Sequence, residues 1–330
     1  MNVVVVSPYP PRRCGIGAYA AAQVERLREE GHRVTVISPP DGDGDVRVGF
    51  GGGRPFRAAE RAGGDADRIV VHFQPALYYR PRAPLSKMAT SRALLRLIHH
   101  RRQTEIVVHE ADRPIRWRPD YVILRRAFRE APLLVFHTER ERERLEREYG
   151  IRVRSRIVPH TQGVRIRGPE SREAARRRFG IPSDRPVLVV PGFLHPDKGI
   201  ERAIRAAAEV GEVRLYVVGS VRDATPLNLA YAARLRELAE DFAEVELVER
   251  FVSDEDFDAW VAAADAVVLP HRRSWSSGAL ARAQALGVPS IVTSVGGLAE
   301  QASSRDVVVE DDQGLLAAVA RFRDPSRTAP

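Results

Sequence analysis

Twelve short apolar runs alternate with helical patterns along this chain, and that alternation is what most constrains its fold. The first series is Val3–Val6, Val34–Ile37, Ile69–His72, Glu105–His109, Leu133–Phe136 and Arg156–Val158. The second is Val187–Val190, Val213–Val218, Val245–Leu247, Ala266–Leu269, Ser290–Val292 and Val307–Val309. Continuous β-branched runs, rather than alternating ones, are strands buried on both faces, as in parallel sheets covered by helices. Helix stops fit this reading: Gly31 follows the helical pattern Tyr19–Glu30, and Gly150 follows Glu139–Tyr149. The expected architecture is α/β, with two Rossmann-like doubly wound parallel-sheet domains. The two series are of similar length and meet at Pro159–Pro169, which contains Gly163, Gly168 and two prolines. The expected domains are therefore 1–163 and 164–330. Ligands of such sheets bind beyond the carboxyl ends of the strands, so two facing domains imply a cleft between them.

At 330 residues, two domains match the usual size range, and 44% hydrophobic residues suffice for buried cores. The net charge of +8 is carried almost wholly by arginine. Arginine forks onto phosphate, which points to phosphorylated or acidic small ligands rather than nucleic acid; a solvated basic surface is the plainer alternative. A single cysteine, Cys14, excludes an intramolecular disulfide and suits a reducing compartment. No apolar run approaches the ~20 residues that span a bilayer, and Val3–Val6 is too short for a signal-peptide core. The expectation is a cytoplasmic protein. The basic, Leu-rich helix Ser86–Arg102 gives it either a peripheral contact with an anionic membrane face or a core-facing helix with a basic outer side.

Two stretches carry chemistry. Pro191-Gly192-Phe193-Leu194-His195-Pro196-Asp197-Lys198-Gly199 follows a strand and precedes the helix Ile200–Glu209, placing a lysine beside a helix start, where phosphate is favoured. Leu269–Glu300 reads as strand, polar loop, helix, short strand and glycine turn, with Ser276-Ser277-Gly278 at the mouth of the helix. Gly15-Ile16-Gly17-Ala18-Tyr19-Ala20 fits G-x-G-x-x-A before a helix. Ser7–Cys14 separates it from the strand, and the second strand ends in Ser38 rather than an acid, which argues against a nicotinamide cofactor. Asp41–Asp45 fails the calcium-loop pattern because Val46 and Gly52 occupy its glycine and glutamate positions. With Gly51–Gly53 it reads as flexible loop. No metal site is expected. Cys14 has no evident His partner as a nucleophile, and Glu139–Glu148 reads as a solvated helix face laced with ion pairs.

Gly15–Gly17, His109 after a strand, GFLHPDKG and GVPSIVTSVGGLAE together resemble glycosyltransferase family 4, over nearly the whole chain and in the family's order. The resemblance implies a GT-B fold and a retaining, metal-independent class of sugar transfer from a nucleotide-diphosphate donor, the nucleotide-sugar being a co-substrate and no cofactor being needed. The acceptor would be a hydroxyl on a glycan, a lipid-linked molecule or a small molecule. By the same resemblance, His109 contacts the transferred sugar, Lys198 binds the donor phosphate, and Gly15 and Gly17 lie near the diphosphate. Ser276, Ser277 and Gly278 supply hydroxyl and N–H contacts. Gly192 and Phe193 belong to the donor loop, with Phe193 standing where many members have an arginine. The family's E-x(7)-E acids align with Ser274 and Arg282, so both are absent; Arg282 has either a phosphate or an acidic neighbour to pair with, and Arg272 and Arg273 are the candidates to replace the cation missing at Phe193. The long C-terminal helix of many members is short or missing after Gln313–Phe322. These departures leave a second reading open, a non-catalytic GT-B protein that binds a nucleotide or partners an active glycosyltransferase. A sugar-nucleotide epimerase gains nothing specific from these motifs.

Overall fold

The computed structural model describes residues 1–80, 83–115, 117–168 and 171–323. Pro169, the end of the expected linker, and positions 324–330 lie outside them. The chain divides into two compact units, Met1–Gly163 and Val164–Pro330.

The first unit is built on strands β1 (Asn2–Val6), β2 (Arg33–Ser38), β3 (Val46–Arg47), β4 (Arg68–Phe73), β5 (Thr104–Val108), β6 (Leu133–Phe136) and β7 (Ser155–Ile157). They form one sheet in the order β3-β2-β1-β4-β5-β6-β7, and every pair is parallel. The second unit has β8 (Val187–Pro191), β9 (Arg214–Gly219), β10 (Val245–Glu249), β11 (Ala266–Leu269), β12 (Ser290–Thr293) and β13 (Val307–Val309). Its order is β10-β9-β8-β11-β12-β13, again all parallel. Each sheet is doubly wound, so each has a point where the strand order reverses: between β1 and β4 in the first unit, between β8 and β11 in the second. Loops diverge there, and the crevice beyond the strand ends is where such sheets bind ligands.

The apolar runs form strands because both faces of each are covered. Along β8, Leu188 and Val190 pack into one core and Val187 and Val189 into the other. Each such buried valine contributes on the order of 2 kcal/mol relative to exposure, so a polar residue at any of them would break the layer.

Two local expectations are corrected. The helix expected to begin at Tyr19 begins at Gly15 and runs to Glu29, so Gly15 and Gly17 sit in its first turn rather than in a turn before it. The segment read as flexible loop is tied down. The Ser38 hydroxyl accepts from the Gly44 N–H at 3.1 Å, the Asp45 carboxylate accepts from the Val36 N–H at 2.7 Å, and Gly51–Gly53 forms a 3-10 turn. The basic helix shows the core-facing alternative. That helix, Pro84–His100, buries Leu94, Leu97 and Ile98 in the core, while Arg96 pairs with Glu60. Among the described residues no helix is long and apolar enough to cross a membrane.

Candidate functional site

In the second unit the residues singled out by sequence converge on the β8/β11 switch point. After β8 the chain passes through Gly192 and Phe193 into a 3-10 turn, Pro196–Lys198, and then into the helix Ile200–Val210. Gly199 joins turn to helix at φ +58°, a left-handed conformation, and a Cβ there would lie 2.4 Å from the Pro270 carbonyl oxygen. Only glycine satisfies both demands. The close approach matters because Pro270 begins the loop after β11. The Arg272 N–H donates to the Asp197 carbonyl at 2.8 Å, stitching the two loops together. Lys198 therefore sits at a helix start and beside the β11 loop at once. Its charge reaches His271, which is 3% exposed; burial first, and then Lys198, hold that imidazole well below its ordinary pKa. Arg272 forms an ion pair with the buried Glu201, whose carboxylate also accepts from the Tyr231 hydroxyl at 2.6 Å. Arg273 is mostly exposed and 3.9 Å from Asp197.

The β11 loop ends at the helix Gly278–Ala285, whose N-cap is Ser277. This helix mouth differs from expectation in one respect. The Ser277 N–H donates to Gln301 Oε1 at 2.8 Å, and Gln301 Nε2 donates back to the Ser277 carbonyl at 2.7 Å. The Ser277 hydroxyl accepts from the Leu280 N–H at 3.3 Å. Ser277 is thus a clamped cap with only its hydroxyl proton to offer. The Gly278 and Ala279 N–H groups have no partner within the described residues and remain for an anion. Ser276 is half-buried, and Ser274 is held under the glycine turn, where a Cβ on Gly296 would lie 1.8 Å from its carbonyl oxygen.

Among the donor-binding candidates, Arg282 has the acidic neighbours that the sequence left open. Its guanidinium is ion-paired with Asp258, which is fully buried, and lies 3.1 Å from Asp254; it also covers the Phe257 ring. Asp258 in turn accepts from the Arg167 N–H at 2.7 Å. A long cation beside the buried Asp258 and the exposed Asp254 is drawn to them, so Arg282 fastens the helix Gly278–Ala285 to Asp254–Ala263. Phe193 has the partner that sequence reasoning missed: the Arg222 guanidinium, from the loop after β9, lies 5.6 Å from its ring centroid.

In the first unit, His109 follows β5 and does not stand alone. His72 at the end of β4, His137 after β6 and His160 after β7 gather with it around Tyr19, whose ring meets all four imidazoles edge-on at centroid distances of 5.1–5.7 Å. A Cβ on Gly163 would collide with the Tyr19 ring, so glycine is required there to close the cluster. His72 Nδ1 lies 2.9 Å from His109 Nε2, and His72 Nε2 lies 3.0 Å from Gln23 Oε1. Burial is the main cause that lowers the pKa of His72 to about 3 and that of His109 well below the usual value. Tyr19 is pushed up to about 12 by burial. His72, His109 and His137 are neutral at physiological pH. Among the described residues no group of three or more His, Cys, Asp or Glu is placed to hold a metal ion.

At the β1 end of the same rim, the Gly15 N–H opens the helix Gly15–Glu29, whose N-cap, Cys14, makes no side-chain cap. Gly15 is exposed, with open space where a Cβ would be; Gly17 is buried against Pro8. Next to it lies a cavity of about 320 Å³ lined by Arg12, Asp41, Phe50, Tyr78, Tyr79 and Arg80 among others. Asp41 neutralises Arg12 at 2.9 Å, and Arg80 has no acidic partner among the described residues.

Comparison with known proteins follows this geometry. Residues 185–324 match the family described as Glycosyl transferases group 1. The chain is 35% identical over 216 residues to D-inositol 3-phosphate glycosyltransferase 2 of Catenulispora acidiphila, covering 60% of this chain and 50% of that protein. It is 34% identical over 177 residues to D-inositol 3-phosphate glycosyltransferase of Thermobispora bispora, covering 51% and 41%. The chain thus spans about half the length of the curated relatives it matches. Among solved structures it resembles sucrose-phosphate synthase from Thermosynechococcus elongatus, with TM-score 0.73, 18% identity and coverage of 99% of this chain and 91% of that one. It also resembles Anabaena HepE in complex with UDP and glucose, with TM-score 0.73, 15% identity and the same coverages. These likenesses show the fold, two Rossmann-like units of the GT-B kind.

Proposed function

We propose that this chain, with its glycosyl transferases group 1 segment and GT-B fold, is a retaining, metal-independent glycosyltransferase that moves a sugar from a nucleotide-diphosphate donor to a hydroxyl acceptor. The observation that carries this reading is the positive pole at the β8/β11 switch point. Lys198 beside one helix start and the Gly278 and Ala279 N–H groups at another form a preorganised cradle for a diphosphate. In glycosyl transfer the charge that must be stabilised grows on the departing phosphate, and fixed donors aimed at it act without reorganisation. Lys198 is assigned that role, with Gly192, Phe193 and the Ser276 and Ser277 hydroxyls in the same donor loops and Arg272 as a supporting cation. His109 is assigned to the sugar. The departing phosphate oxygen then takes the acceptor's proton, so no side-chain base is required.

A UDP-sugar is the first donor to test, because HepE was solved with UDP-glucose. A phosphorylated polyol is the first acceptor class, because the relatives are named for inositol 3-phosphate and the Arg12/Arg80 cavity supplies one uncompensated cation. A second reading, a nucleotide-binding partner without turnover, is favoured by Ser274 and Arg282 standing where the family's acids would be. Thermal-shift titration with UDP-, GDP-, dTDP- and ADP-glucose, followed by a product assay, separates the two. A ligand that binds only the native state raises its apparent stability. Stabilisation with transfer supports the enzyme and stabilisation without turnover supports the partner. No stabilisation by any nucleotide sugar sinks both.

A further inference from the structure

His109 is one end of a hydrogen-bonded chain whose direction is set by the other end. Gln23 stands on the helix Gly15–Glu29 and presents its carbonyl oxygen, Oε1, to His72 Nε2 at 3.0 Å. A carbonyl oxygen can only accept, so His72 must carry its proton on Nε2. A neutral imidazole has one N–H, so His72 Nδ1 is left as an acceptor. At 2.9 Å from it, His109 Nε2 must then be the donor. His109 Nδ1 is consequently the nitrogen with the lone pair, and it has no partner among the described residues.

We propose that Gln23 and His72 are positioning residues that lock His109 as the Nε2–H tautomer, so that Nδ1 accepts a hydrogen bond from a hydroxyl of the ligand. This rests on the assignment of His109 to the sugar. It makes the contact selective by chemistry: a sugar or polyol hydroxyl can donate to Nδ1, whereas a phosphate or carboxylate oxygen cannot and would face a lone pair. The surroundings keep the device from being undone by protonation. His72 is fully buried, and His109 is desolvated beside the imidazoles of His72, His137 and His160, all packed on Tyr19. Orientation of a ring by the group behind it is the general way a neutral histidine is given one role.

Because His72 lies in the core, the test is placed on Gln23, which is half-buried on a helix surface. Selective ¹⁵N labelling of the histidine rings of the whole protein, with His109→Asn to assign its signals, reads the tautomer directly. In the unsubstituted protein His109 should show a protonated Nε2 and an unprotonated Nδ1. Gln23→Met, which removes the acceptor, should convert this to a mixture, and Gln23→Glu, which keeps an acceptor, should preserve it. With UDP-glucose as donor, Gln23→Met should lower kcat by at least about tenfold, since a wrong tautomer removes a contact without moving the ring; KM for UDP-glucose should stay within about threefold. Gln23→Glu should restore the rate. A His109 ring protonated on Nδ1 in the unsubstituted protein overturns the proposal, as does a tautomer or kcat indifferent to Gln23→Met. If the unsubstituted protein turns over no nucleotide sugar, the glycosyl-transfer reading fails, and the ring spectra still decide whether the chain of hydrogen bonds sets the tautomer.

Discussion

The two units use the same doubly wound sheet to make opposite electrostatic environments at their switch points. In the second, cations are brought to the strand ends and held there by structure: Lys198 beside a glycine only 2.4 Å from a carbonyl in Cβ terms, Arg272 paired with buried Glu201, Arg222 over Phe193. In the first, four histidines occupy equivalent strand ends, and burial strips His72, His109 and His137 of charge. Strand-end loops are where a sheet of this kind places chemistry. What differs is whether the side chains put there are solvated enough to ionise. The cationic rim suits a diphosphate. The neutral rim suits hydroxyl groups, which need directional hydrogen bonds rather than field.

The comparison breaks first if Arg282 belongs to the cationic rim after all. Its ion pair with Asp258 predicts otherwise. Arg282→Met should destabilise the second unit by roughly 3–5 kcal/mol, because a fully buried carboxylate is left without its cation. Nucleotide affinity of the folded protein should be unchanged. Denaturant unfolding and calorimetric titration with UDP-glucose report the two quantities. The double variant Arg282→Met with Asp258→Asn should recover part of the loss. Weakened nucleotide binding at unchanged stability would return Arg282 to the donor site.

Lys198→Ala should do the reverse. Removing one preorganised charge contact should raise the barrier by about 3 kcal/mol, on the order of a hundredfold in kcat, while the melting temperature changes little. Unchanged kinetics with a competent donor would remove Lys198 from the mechanism and leave the cationic rim without its centre.

The neutral rim makes a pH prediction. The His72 imidazole is held at about 3, mainly by burial and further by His137 and Arg68. Its unfolded value is about 6.5. Between these values the unfolded chain binds the extra proton, so stability rises with pH across the window and is lost as pH falls from about 6.5 toward 3. The slope is about 1.4 kcal/mol per pH unit for this one group. His109 and His137 are shifted in the same direction and steepen it. Protection factors of the β4 amides, each rate divided by its intrinsic value at the same pH, should fall from pH 7 to 4 in proportion to that lost stability. In His72→Asn the pH dependence should be shallower. An equal slope in both proteins would mean that His72 is not buried neutral.

Much of this was legible in the sequence, and the misses have physical causes. All twelve apolar runs translate directly into parallel strands because burial on both faces leaves a continuous signature, as in Val187–Val190. β3 escaped notice because Val46–Arg47 is a two-residue edge strand with no apolar run. The first helix starts four residues before the pattern Tyr19–Glu30 because its first turn holds glycines at 15 and 17, which are poor helix formers. Chemistry carried by a local motif, such as Lys198 before a helix, was visible. Chemistry made by tertiary contact was not. Gln301 occupies the Ser277 N–H from 24 residues away, and Arg222 reaches Phe193 from the next strand. One signal was available and unused: a histidine at or just after the end of each of β4, β5, β6 and β7, at positions 72, 109, 137 and 160.

The smallest effect bears on where the first unit's neutrality stops. The cavity beside Gly51 holds two arginines, of which Arg12 is neutralised by Asp41 while Arg80 is not. If that cavity receives the anionic part of a phosphorylated acceptor, Arg80 is its only uncompensated charge among the lining residues. Arg80 is exposed, so the interaction is solvent-screened and should be worth less than about 1 kcal/mol. Arg80→Ala should therefore raise KM for inositol 3-phosphate by no more than about fivefold, leave KM for UDP-glucose unchanged, and shift stability by less than about 0.5 kcal/mol. The increase should shrink as salt is raised, because an exposed ion pair is screened within a Debye length of about 10 Å at 0.1 M. For unphosphorylated inositol the substitution should change nothing. An equal effect on both acceptors would mean that Arg80 shapes the cavity rather than charging it. The cavity would then offer no working cation, and any phosphate on the acceptor would have to be held elsewhere.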